Sequence, residues 1–365
     1  MKNFRNFFFA LVGTLLMIAP ASTALSKELN VSNAATSLVV LTVLVVGYVV
    51  SAKGAHQNVF VAGIQVEIWV KYIMDRLYKD NAFLKNFYND DQYVIGGKIV
   101  YIPQPGTRPT VVKNRASFPA TTVRRTDTVI NYTLDEYTTD PTHIQDAEKV
   151  ELSYDKIDSV LGDHVGYLVE DVADDFLVKV LTGIAAGQKM LTTGGATVAT
   201  ANATATGNRK LMTPADFRRA MTQMNNNNIP KEDRYSVITS NLLDQLIQGL
   251  TESLYKNFSE YADAKTGVVG KLFGFNIIER STVAFADNTN TVKAVGAVEA
   301  TTDKEIAMFY QKNAIARALG EVKMFENIND PQFYGDVYSC LMRMGGRRRR
   351  SDDKGVILMG QDASA

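Results

Sequence analysis

The sequence has very little of the chemistry that enzymes and disulfide-rich domains depend on. Among 365 residues there are one cysteine, Cys340, and three histidines, His56, His143 and His164. A single thiol excludes a disulfide within one chain, and the three histidines lie far apart in sequence. Excess charge is also lacking, since 39 Lys and Arg balance 39 Asp and Glu. A net charge of zero provides no global field for nucleic acid or a membrane surface, so any electrostatic role must be local.

Catalytic motifs are missing as well. The glycine-rich stretch Gly267–Gly274 superficially resembles a phosphate loop, but Leu272 follows Lys271 where a magnesium-binding hydroxyl is required. Asp171, Asp174 and Asp175 have a helical spacing that suits a divalent cation, but a solvated acidic face is the simpler interpretation. The sequence therefore predicts no enzyme, no catalytic residue, no cofactor and no metal site.

Residues 1–55 are strongly apolar and differ from everything that follows. Lys2 and Arg5 precede the apolar run Phe7–Ala19, and a second apolar run extends from Leu38 to Val50. This pattern is typical of a secretory leader or a membrane anchor. A removable or buried assembly segment is the alternative, and the pattern alone leaves both open.

The stretch Glu151–Leu181 predicts one long helix with a single buried stripe. Its apolar residues recur at the three-and-four spacing of one helical face, with His164 packed among them. The stripe consists of Ile157, Leu161, Leu168, Val172, Phe176 and Val180. The opposite face is acidic and carries Asp155, Asp158, Asp163, Glu170, Asp171, Asp174 and Asp175.

A basic loop precedes this acidic helix. Strands are predicted at Lys98–Pro103 and Thr128–Leu134, and the long connection between them contains prolines that block helix and sheet pairing. Connections of such length are usually functional or disordered. Its bases, with no acid before Asp127, are Lys98, Arg108, Lys113, Arg115, Arg124 and Arg125. Either the loop and the helix are independent solvated surfaces, or the loop of one subunit lies across the helix of a neighbour.

The remaining chain alternates helices and strands and then becomes strand-rich, which predicts an α+β fold. Thr192–Gly207 is a Gly, Ala and Thr tract expected to be flexible and exposed. Thr213-Pro214-Ala215-Asp216 has the capping hydroxyl, proline and acid of a helix start, and Asn241 is expected to cap a further helix. Near the end, Arg347–Arg350 is interpreted as a basic turn balanced by Asp352 and Asp353, with contact to nucleic-acid phosphates as the alternative.

The order of these elements resembles the major capsid proteins of tailed bacteriophages with the HK97-like fold. Each motif is short, and specificity comes from their order over about residues 58–360. The similar segments are Glu67-Ile68-Trp69 in the amino-terminal arm, Gly96–Ile102 opening the extended loop, Leu134–Ile157 leading into the spine helix, Ile229–Val237 with Gly270–Phe275 in the axial domain, and Gly355–Leu358 in the peripheral domain.

The resemblance implies a domain organisation. It comprises an apolar leader or assembly segment (1–55), an N-terminal arm (56–95), an extended β-hairpin loop (96–135), a peripheral domain with the long spine helix (136–190), an axial domain (191–301) and the closing strands of the peripheral domain (302–365). Family members often carry a charged helical extension where this chain is apolar, so a removed or interior assembly segment is favoured for residues 1–55. A start-site or fusion artefact and membrane insertion are the other options.

The resemblance also implies a function. The chain is expected to be a shell subunit that assembles with itself into hexamers and pentamers, in the host cytoplasm and then in the virion, around double-stranded DNA bound non-specifically. Scaffold, portal and prohead protease are further candidate partners, and no small-molecule substrate is expected. The predicted inter-subunit residues are Arg108, Lys113, Arg115, Arg124 and Arg125 of the loop and Asp163, Glu170, Asp171, Asp174 and Asp175 of the spine helix. The alternatives are a secreted or membrane-anchored envelope protein and an encapsulin-like nanocompartment shell.

Overall fold

The structure, a computed structural model, describes residues 68–78, 81–94, 98–106, 109–116, 118–146, 156–263 and 266–363. Everything below concerns the unit Val70–Ala365. The apolar segment 1–55, with the leader, anchor and assembly interpretations attached to it, lies outside the described residues. Within the described ranges, no helix combines the length and the apolar character needed to cross a membrane.

The unit contains four helices with complete bounds and sixteen strands in its described part, and residues 70–78 are also helical. The helices are α1 (Lys156–Leu181), α2 (Pro214–Asn226), α3 (Ser240–Gln248) and α4 (Glu252–Ser259). The strands are β1 (Tyr88–Asn89), β2 (Ile99–Gln104), β3 (Thr128–Thr133), β4 (Asp135–Thr138), β5 (Thr142–Gln145), β6 (Lys189–Leu191), β7 (Ala196–Val198), β8 (Asn208–Lys210), β9 (Arg234–Thr239), β10 (Val268–Leu272), β11 (Phe275–Arg280), β12 (Phe285–Ala286), β13 (Lys304–Gln311), β14 (Ile315–Asp330), β15 (Gly335–Arg348) and β16 (Val356–Gly360). Short 3-10 turns occupy Ala82–Asn86, Asp91–Tyr93, Ala186–Gln188 and Lys312–Ala314.

A seven-stranded sheet forms one layer, in the order β10-β11-β9-β13-β16-β6 with β12 beside β13. Its apolar face joins residues from α2 and α3 in one core, in which the Phe217, Phe275 and Phe309 rings meet edge to face. The predicted boundary between residues 301 and 302 falls within this sheet, because β13 and β16 share its core with β9 and β11. That boundary therefore does not separate two cores, and the other domain boundaries stay predictions.

A five-stranded sheet forms the second layer, in the order β1-β14-β15-β4 with β5 also pairing with β15. The long helix α1 packs on β15, and a Cβ added to Gly346 would lie 2.2 Å from the Phe176 ring. Phe176 contacts Phe87 at a ring distance of 5.0 Å, and Phe87 contacts Tyr310 of β13 at 4.7 Å. This aromatic row connects the long helix to the strands of the seven-stranded sheet.

The buried face of α1 is wider than the predicted single stripe. The predicted members from Leu161 to Val180 are buried, and the side chain of Ile157 lies outside the described residues. A second set of helix residues, Val165, Val169, Ala173 and Leu177, is buried as well. The predicted stripe was narrower than the observed buried face because two elements cover α1: the five-stranded sheet and the segment that carries Phe87.

Long-range contacts bear on two local predictions. Much of the tract Thr192–Gly207 is exposed as predicted, but it also contains regular structure, because β7 pairs with β8 and the Asn202 amide donates to Asp303 at 2.9 Å. Asn241 does not cap α3: the Thr239 hydroxyl accepts from the backbone amide of Leu242 at 3.3 Å. The Asn241 amide instead donates to Glu305 at 2.7 Å.

Candidate subunit interface

The base of the β2–β3 hairpin is fixed to the five-stranded sheet. The strands pair in register from Ile99 with Thr133 to Gln104 with Thr128. One face of this hairpin is apolar and buried against β14, as the alternation of the strands predicts. The cluster consists of Val100, Ile102, Tyr132, Leu134, Ala316 and Ala318.

Polar contacts reinforce the same base. The Tyr132 hydroxyl donates to the buried Asp90 carboxylate at 3.3 Å, and the Gln104 amide donates to the Arg349 carbonyl at 2.6 Å. Burial raises the pKa of Asp90 above its usual range, while the nearby Arg349 guanidinium opposes the shift. The hairpin therefore leaves the body of the protein from a well-anchored origin.

Beyond the paired strands the loop leaves the body of the chain. Its two ends are held together where the Gly106 amide donates to Asp127 at 2.8 Å and Arg125 pairs with the same carboxylate. The Gly106 amide, followed by Arg125, lowers the pKa of Asp127. Every described residue from 109 to 127 is exposed, and Val111, Phe118 and Val123 are 93%, 79% and 82% exposed. A long loop with apolar side chains in solvent is typical of a surface that another chain covers.

The predicted loop bases fall into three groups. Lys113, Arg115 and Arg124 are exposed and have no ion partner in the described part of the chain. Arg125 is held by Asp127, and Arg108 lies outside the described residues. No loop base is brought to an acid of α1 within the described part of this one chain.

The predicted helix acids also divide. Asp163, Glu170 and Asp171 are exposed and have no ion partner among the residues that the structure describes. Asp174 pairs with Arg280, and Asp175 accepts a hydrogen bond from the Tyr137 hydroxyl. The acids that remain for a partner are therefore Asp163, Glu170 and Asp171, on either side of the middle of α1.

An acidic groove lies between this part of α1 and the edge strands β4 and β5. Carboxylates from both walls line it: Glu136, Asp140, Asp163 and Asp171. His164 is buried at its wall, with Nε2 2.8 Å from the Thr142 hydroxyl. Burial lowers the pKa of His164, and the neighbouring Asp163 carboxylate partly offsets this effect. The predicted packed histidine is thus a neutral bridge from α1 to β5.

Tyr167 is a feature of this surface that the sequence analysis did not single out. Its side chain is 70% exposed, and it lines the acidic groove as well as a second groove toward Arg76 and Arg280. A large aromatic at a solvent-facing helical position is the signal that could have identified it, because the surrounding positions are charged.

The four arginines Arg347–Arg350 belong to the body of the chain. Arg347 donates to the Asn131 carbonyl at 2.7 Å, and the Arg349 guanidinium lies 3.8 Å from the centre of the Tyr88 ring. Arg348 pairs with Asp353 and Arg350 pairs with Asp352. The predicted balance by two acids holds for Arg348 and Arg350, whereas Arg347 and Arg348 end strand β15 and are not part of the turn. These contacts do not support the nucleic-acid alternative.

Comparisons with known proteins place this geometry in context. A family model described as phage capsid protein matches residues 95–359. No curated protein sequence matches the chain.

Among solved structures, the capsid of the cyanophage P-SCSP1u is similar, with 19% identity, coverage of 75% of this chain and 86% of that chain, and a TM-score of 0.53. The capsid of Ralstonia phage GP4 has 14% identity, coverage of 77% and 88%, and a TM-score of 0.53. The asymmetric unit of the bacteriophage PhiM1 mature capsid has 12% identity, coverage of 76% and 86%, and a TM-score of 0.51. At these identities the likeness establishes the fold.

Proposed function

This chain belongs to the phage capsid protein family, and from that premise we propose how its copies are joined: the loop between β2 and β3 of one subunit lies across α1 of a neighbour. The protein is a phage major capsid protein, a structural rather than catalytic component of the virion. The family favours this role over an envelope protein or an enzyme-enclosing nanocompartment.

The exposed loop is the observation that carries the proposal. Residues 109–127 extend from an anchored hairpin, and their exposed bases are opposite in charge to the exposed acids of α1, none of which has an ion partner among the described residues. Exposed ion pairs stabilise by only about 0 to 1 kcal/mol each. Burial of apolar surface at about 25 cal/mol per Å² supplies more, so the charges set the register of the contact.

We further propose that subunits joined in this way form hexamers and pentamers in the host cytoplasm and enclose double-stranded DNA. A head-to-tail contact, in which one surface of a subunit meets a different surface of the next, closes into rings when the rotation permits. The loop and α1 are such a pair of different surfaces. Nuclease-protected double-stranded DNA in purified particles is the expected result, and particles that contain protein cargo without DNA would contradict it.

Charge reversal tests the contact. We expect the full-length chain with Lys113→Glu and Arg115→Glu to remain folded and to lose assembly, as followed by negative-stain electron microscopy and sedimentation. Adding Asp163→Lys and Asp171→Lys to the same chain reverses both surfaces and should restore particles. Lys256→Glu is the control, because Lys256 is also exposed and pairs with Glu252 of its own helix. Normal particles from the first variant would refute the pairing.

A further inference from the structure

The exposed strip of α1 has an aromatic centre. Asp163, Tyr167, Glu170 and Asp171 are spaced as one helical face, at intervals of four, three and one. All four are exposed, and Tyr167 is the aromatic residue among them. Acids therefore flank a tyrosine on both sides along the helix.

The loop has the complementary arrangement with the opposite charge. Phe118 is the single aromatic in the sequence from 105 to 127. Lys113 and Arg115 precede it and Arg124 follows it, and all of these side chains are exposed. Bases therefore flank a phenylalanine on both sides along the loop.

An aromatic residue flanked by acids and an aromatic residue flanked by bases are complementary surfaces, and both occur on every copy of the chain. We infer that Tyr167 is the apolar anchor of the inter-subunit contact and that it packs against Phe118 of a second copy. This inference rests on the proposed function and adds to it the residue that supplies affinity. Interfaces concentrate their binding energy in a few central aromatics that surrounding polar groups shield from water, and exposed ion pairs alone contribute little.

The surroundings of Tyr167 suit this role. Tyr167 lines both grooves, and it is 70% exposed, so its ring is open to a partner. Val111 and Val123 are also exposed on the loop, but an aromatic ring offers a tyrosine a larger contact area and a favourable stacked or edge-to-face geometry. Phe118 is therefore the loop residue that we expect to pack against Tyr167.

Cysteine pairing tests this contact directly. In the full-length chain, Phe118→Cys with Tyr167→Cys should give a ladder of disulfide-linked multimers on a non-reducing gel after particles are oxidised. The native Cys340 is buried and does not contribute. The control is Phe118→Cys with Val298→Cys, at a side chain that is 87% exposed elsewhere on the chain, and it should give no ladder.

Substitution of Tyr167 gives an independent readout. Tyr167→Ala should raise the protein concentration needed for assembly by about tenfold or more, whereas Tyr167→Phe should assemble like the natural chain. If charge swapping restores particles but Tyr167→Ala assembles normally and the 118/167 pair gives no ladder, the anchor is wrong and the proposed contact stands. If charge swapping also fails, the proposed contact itself is wrong. A ladder from the control pair would place the loop elsewhere and overturn the inference.

Discussion

Arg348 Nε donates to Asp353 Oδ1 at 2.5 Å, and this ion pair holds the guanidinium at the carboxyl end of the long helix α1. The other guanidinium nitrogens donate to the carbonyls of Val180, Thr182 and Gly183. The last carbonyls of a helix lack intrahelical partners and carry a partial negative charge, which an arginine satisfies in both respects. The end of β15 is therefore a cap for a helix that ends far earlier in the sequence.

Removing this cap should destabilise the subunit. We expect Arg348→Ala to lower the free energy of unfolding by about 3 kcal/mol, because Asp353 and the helix carbonyls lose a partly buried cation. Arg350→Ala is the matched control: its partner Asp352 is more exposed, and we expect a loss of under about 1 kcal/mol. Chemical denaturation of the free subunits measures both. Equal losses would show that Arg348 acts only as a surface ion pair.

Local signals in the sequence predicted local structure well. At the start of α2, the carboxylate of the expected acid Asp216 accepts from the Thr213 amide at 3.0 Å and from the Thr213 hydroxyl at 2.9 Å, because every group involved lies within one turn of helix. The pairing of Arg348 with Asp353 was within reach of such reasoning, but its role as a helix cap was not, since the carbonyls that it binds lie more than a hundred and sixty positions away. Asn241 is a residue type that often caps helices, but its side-chain amide donates a hydrogen bond to the distant Glu305 instead.

The candidate site shows the same division. Charge along the sequence located the loop bases and the helix acids. It did not show that Arg280 pairs with Asp174 or that Tyr137 binds Asp175, because those partners arrive from distant strands. Tyr167 was missed because the sequence analysis read the acidic face of the helix by its charges alone and did not weigh the aromatic residue among them.

Close packing between α1 and β15 should make Gly346 intolerant of a side chain. We expect Gly346→Ala to lower the free energy of unfolding by about 1 to 3 kcal/mol, since its Cβ would lie 2.2 Å from the Phe176 ring and 2.8 Å from the Ala316 carbonyl oxygen. Gly187→Ala is the control, because no other atom lies within 4 Å of the added Cβ. Thermal unfolding of both variants separates steric overlap from a general effect of replacing glycine. A Gly346→Ala protein as stable as the control would contradict the packing.

The hydroxyl of Tyr132 should stabilise the base of the hairpin. Tyr132→Phe leaves the buried Asp90 carboxylate without its hydroxyl donor, and we expect a loss of about 1 to 2 kcal/mol in the free energy of unfolding. Tyr101→Phe removes a hydroxyl from an exposed tyrosine of the same hairpin and should change the stability by under about 0.5 kcal/mol. Denaturant titration distinguishes the two. A neutral Tyr132→Phe substitution would show that the 3.3 Å contact contributes nothing.

His164 should make the stability of the free subunit depend on pH. Burial holds its pKa below the ordinary value of 6.5, so the unfolded chain takes up a proton before the folded chain does. The free energy of unfolding is therefore expected to fall as the pH drops from 6.5 through the lowered pKa of the folded state. In the His164→Gln variant, the decrease in the free energy of unfolding that His164 causes should be absent. Thermal unfolding of both proteins between about pH 7.5 and about pH 5.5 checks this, and parallel curves would contradict it.

The exposed loop should report assembly through its susceptibility to protease. Trypsin requires an accessible and adaptable segment around Lys or Arg, and Lys113, Arg115 and Arg124 lie in a stretch that is exposed throughout its described residues. We therefore expect free subunits to be cleaved first within residues 113–124, and assembled particles to resist cleavage there because the neighbouring subunit covers the loop. Mass spectrometry of the fragments over time provides the measurement, with cleavage after the exposed Lys256 of α4 as the internal reference. If the loop were cleaved as fast in particles as in free subunits, no neighbour would lie on it, and the charge complementarity with α1 would be a coincidence of composition.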